Sequence, residues 1–407
     1  MARESRSPLA LVRAALLGPM FILGCLSITI TQYVGLNVLP DAELIQGMIN
    51  LTKTQFVVLL TFITSHINPS KLAVTFDPNG SDRFRAVDGT LLSTLTPNSV
   101  LISNHQIYTD WFFHWYLSYT ARLSNLMHIV LKDLSHIPVL GYGMKNFNFL
   151  FLSRKWEKDK VLLTNQLLTM DANARGLGPA NNVKHVASTN IRSSPSAPDV
   201  VHWPQGENSN KVWPYQLILY PEGTVPSDRT KGRSKAYTAE RNLPPLDHVL
   251  LPRIRGLFLT LRKLRNTAEV VYDLTTGYSQ LKPDEYGELV FSLKRFYLLG
   301  KGPSQVNIFV KSWKVSEIPL GDETVDIDDA KEEDLKKFED WLVARWYEKD
   351  RLLDTFYKTG SFGVQGTETV VADIKLGSQL EIFPVFVPLL ILALLLRAAW
   401  VLLWKLV

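Results

Sequence analysis

Ser99-Val-Leu-Ile-Ser103-Asn104-His105-Gln106-Ile107-Tyr108-Thr109-Asp110-Trp111 changes character twice within 13 residues. An apolar run that reads as a buried strand, Ser99–Ser103, gives way to a polar stretch. That stretch leads into a helical pattern over Trp111–Leu123. Similar transitions recur on either side. Strand-like runs fall at Leu72–Phe76, Ile129–Leu131, Asn148–Leu152, Gln216–Tyr220, Val249–Leu251, Glu269–Thr276 and Val306–Val310, with a second helical pattern at Lys158–Leu168. This interleaving predicts an α/β fold with a mostly parallel sheet and flanking helices, in a domain spanning 69–318. Residues 176–214 interrupt the alternation with Asn, Ser, Pro and Gly and no periodicity, which predicts a disordered surface insertion.

The two ends differ from this middle. Ala14–Leu36 carries no charge over 23 residues, enough for a helix rising about 1.5 Å per residue to cross a bilayer. It is longer than a usual signal-peptide core, and no clear small-residue cleavage site follows it. Arg3, Arg6 and Arg13 precede it while Asp41 and Glu43 follow, which favours a cytosolic N-terminus. Glu43, Gln46, Asn50, Lys53 and Thr54 recur at helical spacing and predict an amphipathic helix running into Phe56–Ile63, lying in or re-entering the membrane interface. Phe383–Trp404 is apolar except for Pro384, Pro388 and Arg397 and reads as a tilted span or a shallow hairpin. Segments 1–68 and 381–407 are therefore expected to be the N- and C-terminal membrane parts. Between them, 319–380 is an acidic region. Residues 321–354 hold 13 Asp/Glu against 6 Lys/Arg, with Leu335, Phe338, Trp341, Leu342, Arg345, Trp346, Leu352, Leu353 and Phe356 at helical spacing. This predicts a long amphipathic helix packed on the domain.

Composition excludes several classes. The chain has 44 Lys+Arg and 39 Asp+Glu, and a net charge of +5 is too small for its length to indicate a nucleic-acid binder. One cysteine, Cys25, rules out an internal disulfide framework and a Cys-cluster metal site.

With no thiol nucleophile, the eight histidines are the first candidates for chemistry. His105 and Asp110 are five apart, and a carboxylate so placed can accept from one imidazole nitrogen and leave the other as a base. On one continuous helix Asp110 would be turned about 140° from His105; the loop between them allows the two to face. The spacing alone is weak, since His128/Asp133 and His202/Glu207 repeat it. What sets His105 apart is its place at the carboxyl end of a strand, where ligand and catalytic groups gather in α/β sheets.

Two further strand ends carry polar groups. Leu217-Ile-Leu-Tyr-Pro221-Glu222-Gly223-Thr224 runs from a strand into a turn, where exposed N–H groups suit an anion. Residues 222–265 then hold ten Lys/Arg against four acids, so the mouth suits a phosphate-bearing substrate, or simply a solvated basic face. Phe149-Leu-Phe-Leu152-Ser153-Arg154 ends a third strand in a cation fit for bidentate phosphate capture, or for an ion pair with Glu157.

In order, Asn-His-x4-Asp-Trp, Phe-x-x-Arg, Pro-Glu-Gly-Thr and Leu251-Pro252 resemble the glycerolipid acyltransferase family that includes the 1-acyl-glycerol-3-phosphate acyltransferases. Arg233-Ser-Lys-Ala-Tyr237, Val249-Leu-Leu-Pro-Arg253 and Val271-Tyr-Asp-Leu-Thr275 are similar to its lysocardiolipin and lysophosphatidylinositol branch. The resemblance covers about residues 70–357 apart from the insertion. It implies acyl-CoA as co-substrate and a lysophospholipid as acceptor, with no metal or bound cofactor and no nucleic acid. His105 would be the general base and Asp110 its support. Asn104, Arg154, Glu222, Gly223, Thr224 and Arg233 would be the substrate-binding residues. In many members an arginine follows Gly-Thr; here Val225 stands there, and Arg229, Arg233 or Lys235 would substitute. The resemblance further implies an integral membrane enzyme on a lipid bilayer, in the endoplasmic reticulum or a mitochondrial membrane, with a cytosol-facing site. A CoA-independent transacylase, a lipid phosphate hydrolase and an idle membrane scaffold are the rival readings.

Overall fold

The computed structural model describes residues 8–153, 155–186, 200–208, 211–322 and 331–406. The chain opens with helices α1 (Pro8–Val38) and α2 (Ala42–Ile67), followed by strands β1 (Lys71–Phe76), β2 (Arg83–Val87), β3 (Thr90–Thr94) and β4 (Ser99–Ser103). Next come α3 (Asp110–Thr120), β5 (Met127–Lys132), α4 (Leu140–Asn146), β6 (Leu150–Leu152), α5 (Trp156–Ala174) and β7 (Gln216–Leu219). Then follow α6 (Asp228–Glu240), α7 (Ile254–Leu264), β8 (Val270–Tyr278), the single-turn α8 (Gly287–Val290) and β9 (Gln305–Lys314). The last elements are α9 (Glu332–Thr359), β10 (Glu368–Asp373) and α10 (Phe383–Leu406).

The ten strands of the described residues join one sheet in the order β2-β3-β10-β1-β9-β8-β4-β7-β5-β6. β4 is buried at every residue and runs parallel to both neighbours, with Ile102 opposite Leu219 of β7 and Asp273 of β8. Such a strand is covered on both faces, which is why its sequence is a continuous apolar run rather than an alternation. Antiparallel pairs occur at β8–β9, β1–β10 and β2–β3, and the remaining pairs are parallel. The expected α/β class with a mostly parallel sheet and flanking helices is what the chain adopts.

Successive strand side chains go to opposite layers. Leu101 and Ile218 join α2 and α3 through Phe56, Phe112 and Trp115. Val100, Ile102, Leu217 and Leu219 join α5, α7 and α9 through Leu163, Leu257, Phe258, Phe338 and Trp346. The long amphipathic helix expected near 335–356 is α9; it buries Phe338, Leu342, Trp346, Leu353 and Phe356, while Leu335, Trp341, Arg345 and Leu352 are half-buried. The 319–380 region is not set apart from the 69–318 sheet, because β10 pairs with β1 over six residues, from Lys71–Asp373 to Phe76–Glu368.

Two readings are corrected. Val249–Leu251 forms no strand: the Asp350 carboxylate accepts from the N–H groups of Asp247, His248 and Val249, and Ser234 Oγ accepts from that of Leu251. Its amides are satisfied by side chains, so no neighbouring strand is needed. The 176–214 segment is also not uniformly without structure. Residues 187–199 lie outside the described residues, but Val186 and His202 pair as an antiparallel bridge, and Arg175 binds the carbonyls of Pro204 and Gly206.

α1 and α2 form an antiparallel hairpin. Gly24 lies where a Cβ would stand 2.5 Å from Leu59, and Gly35 where it would stand 2.6 Å from Met48. Small residues at such a crossing let the two backbones approach. Asp41 caps α2 by accepting from Leu44 N at 2.9 Å. α1, α2 and the C-terminal helix are each long and apolar enough to cross a membrane. α2 nevertheless buries two-thirds of its apolar stretch in protein, whereas α10 is almost wholly exposed. α10 is one continuous helix through Pro388, not a hairpin.

Candidate active site

β4 ends at Ser103 and α3 begins at Asp110, so the loop 104–109 lies at the carboxyl end of an interior strand of the sheet. There His105 Nδ1 lies 2.8 Å from Asp110 Oδ2. The same oxygen accepts the backbone N–H groups of Gln106 at 2.6 Å and Ile107 at 3.1 Å, and Oδ1 accepts from the Tyr278 hydroxyl. A carboxylate that accepts from these donors also accepts the Nδ1–H hydrogen bond, which leaves Nε2 as the acceptor of that tautomer. Asp110 is fully buried, while the His105 side chain keeps 18% exposure. A fixed imidazole with one nitrogen open to substrate is the geometry of a general base.

Aromatic and polar groups wall this dyad. Tyr220, the residue after β7, stacks on His105 with ring centroids 4.4 Å apart. Its hydroxyl meets His114 Nδ1 at 2.8 Å, and His114 Nε2 meets Thr276 Oγ1 at 2.9 Å. Burial lowers the His114 pKa to about 4, so this second histidine stays neutral. Gln106 Nε2 donates to His248 O at 2.9 Å and ties the 104–109 loop to the 247–251 loop that Asp350 of α9 organises.

Asn104, expected among the substrate-binding residues, is buried and spends its amide elsewhere. Nδ2 donates to Thr276 O at 2.9 Å and Oδ1 accepts from Thr276 N at 2.8 Å. It clamps the end of β4 to β8.

The Pro221–Thr224 turn adjoins the dyad. Gly223 adopts φ +69, and its N–H donates to Tyr220 O at 2.9 Å. A glycine is required there because a Cβ strains in the left-handed region. Glu222 is buried and accepts from Trp346 Nε1 at 3.1 Å. Burial pushes its carboxyl pKa well above the usual value, and the Trp346 hydrogen bond only partly offsets this. Thr224 is half-buried at the turn's end, and Val225 after it is buried. Arg233 lies exposed on α6. Arg154 falls outside the described residues.

Of the expected set, the structure brings together His105, Asp110, Glu222 and Gly223. Sequence reasoning missed Tyr278, Tyr220, His114 and Trp346. His114 had a readable signal, since it is four residues beyond Asp110 and shares that face of α3. The other matches to the His-x4-acid spacing do not form pairs: His128 Nε2 faces Lys53 Nζ at 3.2 Å, across the α2–β5 contact.

Residues 83–264 match a family model described as Acyltransferase, and 297–382 match one described as Acyltransferase C-terminus. The chain is 40% identical over 350 residues, 84% of its own length and 84% of the relative's, to a 2-acyl-1-lysophosphatidylinositol acyltransferase of Saccharomyces cerevisiae. This chain belongs to the acyltransferase family. More distant relatives of this acyltransferase include a lysocardiolipin acyltransferase of Danio rerio, 26% identical over 64% of this chain and 53% of the relative. A lysophosphatidylinositol acyltransferase of Caenorhabditis elegans is 28% identical over the same shares. No solved structure matches it. The acyltransferase is an O-acyltransferase by family, and the His105–Asp110 dyad lies inside the first matched region.

Proposed function

We propose that this acyltransferase moves a fatty acyl group from acyl-CoA to the free hydroxyl of a lysophospholipid, with lysophosphatidylinositol as the acceptor that fits best. The observation that carries this reading is the open Nε2 of His105, held by Asp110 at 2.8 Å beside the Pro221–Thr224 turn. The name of the 40% identical relative supports the acceptor class.

In the proposed reaction, Nε2 takes the proton of the acceptor hydroxyl as its oxygen attacks the thioester carbonyl. Asp110 stabilises the imidazolium that forms. The attack forms the ester C–O bond; collapse of the tetrahedral intermediate restores the carbonyl and breaks the C–S bond, and the departing thiolate takes the proton from His105. Arg154, Thr224 and Arg233 are proposed to assist substrate binding.

The hairpin supports a membrane enzyme whose domain lies on one side of the bilayer. Its tip does not project away: Ala42 N reaches Asn182 Oδ1 at 3.3 Å, in a loop of the domain. α2 therefore lies along the domain, and the outward apolar faces of α1 and α10 are left for lipid. A cytosol-facing site on the endoplasmic reticulum fits a soluble acyl-CoA donor.

The test is a microsomal assay with labelled acyl-CoA against a panel of lysophospholipids. Transfer to lysophosphatidylinositol that requires added acyl-CoA supports the reading. Transfer that proceeds without acyl-CoA would establish the transacylase instead.

A further inference from the structure

The space left by the missing Cβ of Gly223 is filled by an arginine from another loop. Arg253 Nε and Cζ lie 3.2 and 3.3 Å from where that Cβ would stand. The backbone of Arg253 is pinned to the same turn, its N–H donating to Pro221 O at 2.8 Å. Two contacts thus hold one cation against the turn whose preceding residue, Tyr220, stacks on the catalytic imidazole. The Arg253 side chain is exposed and has no hydrogen-bond or ion-pair partner among the described residues. The first turn of α7, which starts at the next residue, carries no acid. The turn's own acid, Glu222, is buried and directed to Trp346. Arg253 is therefore a positioned guanidinium without a counter-ion among the described residues.

We propose that Arg253 binds the phosphodiester of the lipid acceptor; this rests on the lysophospholipid reading of the site. A guanidinium presents a planar fork of donors that matches two phosphate oxygens. In a lysophospholipid the reacting hydroxyl and the phosphate are separated only by the glycerol backbone. A hydroxyl at His105 Nε2 thus brings its phosphate to the neighbouring turn. The phosphates of acyl-CoA are separated from the thioester by the whole pantetheine arm and fall farther away. Val225 is buried and apolar, so the next residue of the turn supplies no cation, and the loop at 253 does.

The experiment measures steady-state kinetics of the full-length enzyme in membranes for wild type, Arg253→Gln and Arg253→Lys, varying lysophosphatidylinositol and acyl-CoA separately. The Gln variant is expected to raise KM for the lysophospholipid about tenfold or more, the loss of one charge-assisted contact. Its KM for acyl-CoA should stay unchanged and Lys should recover part of the loss. An unchanged lysophospholipid KM in the Gln variant overturns the assignment. So does a raised acyl-CoA KM that disappears when acyl-pantetheine replaces acyl-CoA, which would place the phosphates of CoA on Arg253. A wild type inactive with every lysophospholipid overturns the functional reading and this inference with it. An active wild type with an indifferent Gln variant overturns the inference alone.

Discussion

Tyr278, at the end of β8, donates its hydroxyl to Oδ1 of Asp110, the carboxylate oxygen that His105 leaves free. The two residues are 168 apart in the chain, and Tyr278 is fully buried. The contact fixes the carboxylate from the side opposite the imidazole. Tyr278→Phe leaves Oδ1 buried without that donor, at a cost of about 1–3 kcal/mol. We expect kcat to fall about tenfold with both KM values little changed, and the melting temperature to drop. Wild-type kcat in this variant would show that the hydroxyl does not position Asp110.

Asp110→Asn keeps the shape of the site but puts an amide where Nδ1–H needs an acceptor. The imidazole can then adopt the tautomer with its proton on Nε2, and the base is lost. Acyl transfer should fall about 10³–10⁴-fold, by analogy with the same change in a His–Asp pair of a serine protease. Lipid binding, read by sedimentation with vesicles, should be unaffected. A loss of less than tenfold would contradict the assigned tautomer.

His114 makes stability depend on pH. Burial lowers it to about 4 from an ordinary 6.5. Between those values the unfolded chain binds a proton that the folded protein does not. The folded state therefore keeps its full stability above about pH 6.5 and loses it as pH falls toward 4, by about 3 kcal/mol in all. His114→Gln removes this titration. Melting curves in detergent from pH 4.5 to 7.5 should show the difference between wild type and variant shrinking or reversing at the acid end. A pH-independent difference would rule the effect out.

Lys349 of α9 forms a buried ion pair with Asp273 of β8 and also donates to Leu274 O at 2.5 Å. Lys349→Met strands the Asp273 carboxylate in the core and should cost about 3–5 kcal/mol. Adding Asp273→Leu should restore most of it, because paired apolar residues replace a buried pair at little cost. Equal melting temperatures for the single and double variants would contradict this.

The strand–turn–helix around His105 was legible because buried strand, polar loop and helix differ sharply in composition within a few residues. Its partners across the fold were not. Tyr278 and Tyr220 read as ordinary aromatic residues at strand ends, and only β8 and β7 lying on either side of β4 bring them to Asp110 and His105. β2, β3 and β10 were not legible because Arg83–Val87, Thr90–Thr94 and Glu368–Asp373 are short, mix polar with apolar residues and each bury a single residue. Val249–Leu251 misled in the other direction: apolar residues suggested a strand where Asp350, about 100 residues later, supplies the acceptors. The role of α9 as a brace, reaching Glu222 through Trp346 and Asp273 through Lys349, lies in tertiary contacts that periodicity does not reveal.

If His105 is the base of an acyl transfer, removing its imidazole abolishes the reaction and leaves the membrane anchor intact. The most direct measurement is the rate of labelled acyl transfer from acyl-CoA to lysophosphatidylinositol by membranes containing wild type or His105→Ala at equal protein level. We expect transfer by the wild type and a loss of about 10³-fold or more in the variant, with membrane association unchanged. Transfer by His105→Ala at the wild-type rate would contradict it.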